Sequence, residues 1–207
     1  MPRIQPFQMY TDDYDRWFEE HYELYEAELK TLQGIIPRSL QKKLEVGVGS
    51  GRFAEPLGIR MGMDPSPKMA VKAKARGIEV CLGVAEKLPF ASGRLDLLLM
   101  VTTICFVDDI VSSFREAFRV LRPRGWIAVG FVDAESDLGR KYRARRESSR
   151  FYKTATFFSA REVLDLLRQT GFRVKEVRQT LLPGMPSDTV MDGFGRGAFV
   201  VIGGMTD

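Results

Sequence analysis

The sequence predicts an α/β fold in which short apolar strands alternate with helices around a mostly parallel, doubly wound sheet. Three observations carry this reading. Strand-length apolar runs and helical-period segments alternate along 207 residues. One run, Leu-Asp-Leu-Leu-Leu-Met-Val at 95–101, is almost continuously apolar, as expected of a strand covered on both faces. Residues 44–52 read Leu-Glu-Val-Gly-Val-Gly-Ser-Gly-Arg, a buried strand that turns sharply on alternating glycines.

Each element follows in order. Residues 11–33 carry Trp17, Tyr22, Tyr25 and Leu29 at helical spacing, with Thr11 or Asp12 to cap the helix and Gly34 to end it. Residues 43–46 form the first strand, and a very short helix is expected at 53–57 after the glycine turn. The second strand is 59–63. Ser66 caps a helix that runs to Arg76 and stops at Gly77. Strands follow at 78–82 and 95–101. Asp108 or Asp109 opens a helix with Ile110, Phe114, Ala117, Val120 and Leu121 on one side, broken by Pro123 and Gly125. The fifth strand is 126–132, and 137–157 is a basic and aromatic insertion. Ser159 with Glu162 makes a capping box for a helix closed by Gly171, and 172–177 and 198–202 are the last two strands.

Composition narrows the chemistry. With 44% hydrophobic residues the chain can bury a sizeable core in one domain. No apolar stretch approaches membrane-spanning length, and the first six residues lack the apolar core of a secretory signal. Cys81 and Cys105 have no metal spacing and read as core thiols of a cytoplasmic protein. His21 is the sole histidine, which removes most histidine-based triad and metal chemistry, and no metal site is expected. Net charge is +4, but residues 140–153 hold seven Lys or Arg and one acid, so the rest is slightly acidic.

The glycine turn points to a nucleotide cofactor. Gly47, Gly49 and Gly51 let the backbone approach a ligand, and Asp64 ends the next apolar run, where a carboxylate can accept the two hydroxyls of a ribose. Starting at Gly47, a dinucleotide fingerprint would place its third glycine at Arg52. Starting at Gly49 it reaches Ala54, an accepted replacement, so the glycines alone leave that reading open. A Walker A loop is excluded because no Gly-Lys-Ser/Thr occurs.

Four ordered segments decide further. Glu45-Val-Gly-Val-Gly-Ser-Gly51, Gly62-Met-Asp64-Pro-Ser66-Pro-Lys-Met69, Ala85-Glu86-Lys-Leu88-Pro89-Phe90 followed by Leu95-Asp96, and Phe118-Arg119-Val120-Leu121-Arg-Pro123-Arg-Gly125 stand in this order. The chain thereby resembles class I S-adenosylmethionine-dependent methyltransferases, in particular the small-molecule branch of the ubiquinone/menaquinone biosynthesis type. Thr170-Gly171-Phe172 resembles a later landmark. The resemblance implies a Rossmann-like, seven-stranded sheet with an antiparallel last strand and helices on both faces. It also implies a single domain of 207 residues, made of a helical cover (1–36), a cofactor core (40–133), an insertion (134–158) and a C-terminal helix with strands (159–205).

Carried residue by residue, it implies that S-adenosylmethionine lies against Val46, Gly47, Gly49 and Gly51, with Glu45 organising the loop. Asp64 takes the ribose, Pro65 and Met69 pack near the adenine, and Ala85 and Glu86 meet its edge. Thr102 faces the methionine or the transferable methyl. Two departures stand out. Val84 replaces an aspartate that accepts from the adenine amino group, and Arg124 replaces the first glycine of a Pro-Gly-Gly turn.

Methyl transfer is a direct displacement that needs alignment more than acid–base groups. Asp133, Glu135 and His21 are the candidate bases. Tyr14, Trp17, Phe106, Tyr142 and Tyr152 are the candidate acceptor contacts, and aromatics interleaved with arginines suit an aromatic or anionic small molecule. An RNA methyltransferase gripping phosphates with residues 140–153, or a cofactor-binding module without catalysis, are the alternatives. Nucleic acid is not expected, because the basic run is one short segment. A monomer or homodimer is expected.

Overall fold

A computed structural model describes residues 4–207; the first three residues of the cover and of the stretch read as lacking a signal lie outside it. Three helices come first: α1 (Gln5–Met9), α2 (Thr11–Glu20) and α3 (Tyr22–Ile35). The sheet strands are β1 (Lys43–Val46), β2 (Met61–Asp64), β3 (Glu79–Leu82), β4 (Leu95–Val101), β5 (Leu121–Val132), β6 (Arg173–Thr180), β7 (Met191–Asp192) and β8 (Phe199–Met205). Between them run α4 (Pro67–Ala75), α5 (Ile110–Val120), α6 (Asp137–Ala144) and α7 (Ala160–Gln169), with a 3-10 turn at Arg146–Ser148.

The strand order is β3-β2-β1-β4-β5-β8-β6-β7. β1 to β5 are parallel, and β8 inserts antiparallel between β5 and β6. The expected antiparallel last strand is therefore present. The sheet has eight strands rather than seven, because the two-residue β7 pairs with the edge of β6 through Arg178–Asp192 and Gln179–Met191. So short a strand carries no hydrophobic period that a sequence reading could detect.

All seven residues of β4 are buried. Leu97, Leu98 and Leu99 are each fully covered, worth roughly 1.5–3 kcal/mol apiece. They divide between two cores: Leu98 packs with Phe114, Val163 and Leu167 from α5 and α7, while Leu97 and Leu99 pack with Phe18, Leu32 and Phe199 toward the cover helices. Asp96, the one acid in this strand, is satisfied by the Gln41 and Lys42 N–H groups at 2.9 and 3.0 Å and by Arg122.

Three local expectations change. The helix foreseen at 11–33 is two helices that meet at His21, whose backbone (φ −122°, ψ 41°) leaves the helical region. The first needs no Thr11 or Asp12 cap, since α1 ends directly against it. The helix expected at 53–57 is a series of turns, because Pro56 has no N–H to give to the helical ladder. The capping expectations hold. Ser66 accepts from the Met69 N–H, Asp109 from Val111 and Ser112, and Ser159 with Glu162 closes the full capping box.

At the departure from the Pro-Gly-Gly turn, Arg124 adopts φ 61°, the left-handed region where a Cβ is strained. Arg124→Gly is expected to stabilise the protein by about 1 kcal/mol. Thermal unfolding should show a rise in Tm of about 2–4 °C; an unchanged or lower Tm would mean that the turn carries no such strain.

Candidate functional site

At the carboxyl ends of β1, β2 and β4, where the strand order reverses, lies a cavity of about 280 Å³. It has two contiguous halves. One is formed by Val46, Gly47, Gly49, Asp64, Pro65, Met69, Val84, Ala85, Glu86 and Thr102, and the other by Phe7, Tyr14, Trp17, Phe106, Tyr142, Phe151 and Tyr152. Tyr14 spans the two, its hydroxyl lying 3.3 Å from where a Cβ on Gly49 would stand.

Local backbone chemistry shapes the first half. Gly47 has φ 71°, and an added Cβ would fall 2.3 Å from Thr103 Oγ1. That hydroxyl is itself fixed on the Val46 and Val101 carbonyls, so the space is not recoverable. Gly51 serves packing instead: a Cβ there would meet Ile78 Cδ1 at 2.5 Å, and the residue does not line the cavity. Thr102 holds φ 50° just past β4, a strained conformation for a β-branched residue that costs of order 1–3 kcal/mol.

Asp64 is the hinge of this half. It is 7% exposed and accepts the Gly49 N–H on Oδ2 and the Ser66 N–H on Oδ1, both at 2.8 Å. Burial pushes its pKa up, and those two N–H groups oppose the rise. A carboxylate has about four acceptor positions, so two remain for a ligand. Glu45 is fully buried behind the turn rather than on the cavity wall, and its Oε2 has no hydrogen-bond partner among the described residues. Burial, then the nearby Asp64, drives its pKa well above the usual carboxylate range, while the Ala54 N–H opposes this. An unsatisfied acid beside a positive-φ turn fits a site completed by a donor-bearing ligand such as an amino group.

The remaining two sequence motifs are joined physically. The Arg119 guanidinium donates to the Leu88 and Phe90 carbonyls, and Glu116 accepts the Leu88 N–H. This holds residues 85–90 against α5 and presents Ala85 to the cavity. Glu86 lines the rim, but one of its oxygens already accepts the Asp108 and Asp109 N–H groups at 2.7 and 3.1 Å.

Comparison with known proteins agrees with this geometry. A methyltransferase-domain family matches residues 44–129. A solved S-adenosylmethionine-dependent methyltransferase of Thermotoga maritima, described as a possible histamine N-methyltransferase, is 44% identical with a TM-score of 0.94, covering 99% of this chain and all of that one. The chain belongs to the class I S-adenosylmethionine-dependent methyltransferases. An uncharacterized protein of Methanocaldococcus jannaschii is 38% identical, over 95% of this chain and 96% of its own. The malonyl-[acyl-carrier protein] O-methyltransferase of Geobacter sulfurreducens is 31% identical, over 80% of this chain and 67% of its own.

In this methyltransferase the three candidate bases lie away from the cavity. Asp133 is 1% exposed, and its Oδ1 is occupied by the Glu135 and Ala160 N–H groups, so it caps a turn. Glu135 is exposed, and the Arg140 guanidinium donates to its carbonyl rather than to its side chain. His21 is exposed at the α2–α3 break and stacks on Trp17, with ring centroids 5.0 Å apart. By contrast, Tyr14, Trp17, Phe106, Tyr142 and Tyr152 all reach the cavity wall.

The basic insertion divides by chemistry. All seven of its Lys and Arg residues are exposed, whereas Tyr142 and Tyr152 stack at 4.9 Å and Tyr152 stacks on Phe106 at 6.1 Å. Arg150 reaches across to Asp13 at 3.0 Å and lies over Tyr10, joining the insertion to the cover. The cover is also tied to the glycine turn. Asp15 of α2 accepts from Ser50 Oγ at 2.6 Å and pairs with Arg52, Lys72 and Arg76. Burial opposes its charge, but these donors hold Asp15 below the usual carboxylate range.

Glu28 is a cavity residue that the sequence reading does not name. Glu28, in α3, is 5% exposed, lines the cavity, and makes no hydrogen bond or ion pair with any described residue. The signal was present: Glu28 falls on the same face as Leu24, Leu32 and Ile35, where a carboxylate does not belong for packing. Burial alone pushes its pKa up to about 8 from 4.5. Tyr14, Tyr142 and Tyr152 face it from α2 and the insertion, and Arg178, which reaches α3 at Gly34 from β6, is paired with Glu176.

A raised acid pKa means that the folded state holds a proton the unfolded chain has lost. The contribution is therefore fully present below pH 4.5 and disappears as pH rises through about 8. Glu28→Gln should consequently gain in Tm over the wild type as pH goes from 5 to 9, by several degrees. A Tm difference that stays flat across this range in paired melts would show that Glu28 does not titrate in this window.

Proposed function

We propose that this methyltransferase moves a methyl group from S-adenosylmethionine to a small-molecule acceptor held in the aromatic half of the cavity. The observation that carries the reading is the continuity of the two halves, with Tyr14 at their junction. The acceptor half lies beneath α1, α2, α3 and the aromatic side of the insertion, which suits a small molecule better than a nucleic acid chain. The exposed Lys and Arg residues of the insertion do not line the cavity, so the expectation of an anionic acceptor loses the support those charges lent it.

The residues assigned to the cofactor follow the resemblance and fit the geometry. S-adenosylmethionine, when bound, supplies an electrophilic methyl on a sulfonium. Val46, Gly47 and Gly49 would lie along its amino-acid end, with Thr102 nearby, Glu45 behind the turn offering its unpaired oxygen, and Gly51 keeping the turn close to α4. Asp64 offers its two free acceptor positions to the ribose. Pro65, Met69, Val84 and Ala85 wall the adenine, and Glu86 fixes the rim. Val84 gives this wall an apolar face where an aspartate would add an acceptor.

The protein's contribution to rate is alignment and exclusion of water, and alignment alone can be worth ~7–11 kcal/mol. The Asp15 hub and the packing of Phe151 against Phe7, Tyr10 and Tyr14 hold the cover over the cavity while the aromatic rings pack around the acceptor. Burial first, then nearby acids such as Glu45 and Asp64, raise the Tyr14 pKa far above its usual value, so Tyr14 remains a neutral hydroxyl at the junction.

Calorimetry with S-adenosylhomocysteine and NAD tests the cofactor assignment. The wild type should bind the first and not the second. Asp64→Asn should weaken binding about 10- to 150-fold, the worth of a charge-assisted hydrogen bond, and Gly47→Ala should abolish it. Retained affinity in both variants, or binding of NAD, would refute the assigned site.

A further inference from the structure

The six ionisable carboxyl residues on the cavity wall are Asp13, Glu20, Glu28, Asp64, Glu86 and Asp108, and among the described residues no lysine, arginine or histidine lines it. Most of these acids have partners. Asp13 meets Arg16 and Arg150, Asp64 holds two backbone N–H groups, and Glu86 holds two more. Glu28 differs in being buried, without a partner among the described residues, and placed among aromatic rings. A buried acid without a partner destabilises the fold unless something compensates it. The compensating group that this wall lacks is a cation.

We propose that the methyl acceptor is an amine, and that Glu28 binds its ammonium group within the aromatic half of the cavity and takes up the proton that frees the nitrogen for attack. This deepens the small-molecule reading above and rests on it. The surrounding rings favour a cation by their negative faces, and desolvation strengthens that attraction. They leave the amine's apolar body well packed.

The step balances. An ammonium nitrogen gives one proton to a Glu28 oxygen and becomes a neutral amine. Its lone pair forms the new N–CH3 bond while the methyl–sulfur bond breaks and that electron pair goes to sulfur. The positive charge passes from sulfonium to methylammonium, and the proton on Glu28 leaves to solvent as product departs. A Glu28 pKa pushed up by burial to about 8 places it within reach of such an exchange near neutral pH.

The same chemistry gives a binding signature that does not depend on turnover. At pH 7, before amine is added, Glu28 is protonated, and an alkyl amine in solution is an ammonium ion. Whether the bound pair is carboxylate with ammonium or carboxylic acid with amine, one proton must leave.

The experiment uses the full chain saturated with S-adenosylhomocysteine, titrated with benzylamine, phenethylamine and 3-phenylpropylamine. Each is compared with its matched alcohol and carboxylate, in phosphate and in Tris buffer. At least one amine should bind ten times more tightly than its alcohol and release close to one proton. Glu28→Gln, which still binds S-adenosylhomocysteine and so reports a folded protein, should lose both the preference and the proton release. If alcohols or carboxylates match the amines, if no amine binds, or if Glu28→Gln keeps the preference, the proposal is overturned. Failure of wild type to bind S-adenosylhomocysteine would instead overturn the cofactor reading on which it rests.

Discussion

The organising constraint in this molecule is the placement of buried carboxylates in and behind a cavity that has few means of stabilising their charge. Glu45, Asp64 and Glu28 are all buried, and burial raises the pKa of each. Only Asp64 is well supplied with donors, and those donors are backbone N–H groups of the glycine turn and of the α4 cap. The turn, the strand end and the helix start are therefore set by one side chain. Loss of that carboxylate would release two loops together rather than one ligand contact.

The cover depends on the opposite arrangement, a charge surrounded by partners. Asp15 gathers Ser50, Arg52, Lys72 and Arg76 at one edge of α2, joining the N-terminal helices to the glycine turn and to α4. Tyr25 adds a hydrogen bond to the Arg52 carbonyl at 2.6 Å. A helix with little apolar surface of its own is held over the site by these contacts and by Phe18, which packs on Phe53 and Tyr25. On the far side the cover meets the insertion through Phe7, Tyr10, Tyr14 and Phe151. The exposed Arg150–Asp13 pair contributes little by itself, so aromatic packing carries most of that contact.

Legibility in the sequence followed distance along the chain. The capping residues Ser66, Asp109 and Ser159 were readable because a cap satisfies N–H groups two or three residues away. The Pro56 interruption and the break at His21 depart from the helical expectation for different reasons. At the first, a proline inside the segment removes a donor from the ladder. At the second, nothing in the local pattern marks the change of direction, which brings Trp17 and Phe18 of α2 and Leu24 and Glu28 of α3 to one cavity. The candidate bases Asp133 and Glu135 had the right position after a strand, but position in a motif says nothing about which way a carboxylate is tied.

By itself, the sequence determined the parallel core, the glycine turn, the acid at the end of β2 and, through four ordered motifs, the family and its cofactor. These features rest on backbone conformations and strand ends whose residues lie close together in the chain. Only the tertiary structure assembled the acceptor half. Glu28, Phe106, Tyr142 and Tyr152 come from three separated segments, and although the aromatic residues and the misplaced acid stand out in the sequence, nothing local says that they meet. Their chemistry arises from what surrounds them: aromatic side chains lining the cavity, basic side chains exposed outside it, and a carboxylate removed from water. Burial of a charge is a property of the assembled fold, and no short stretch of chain encodes it.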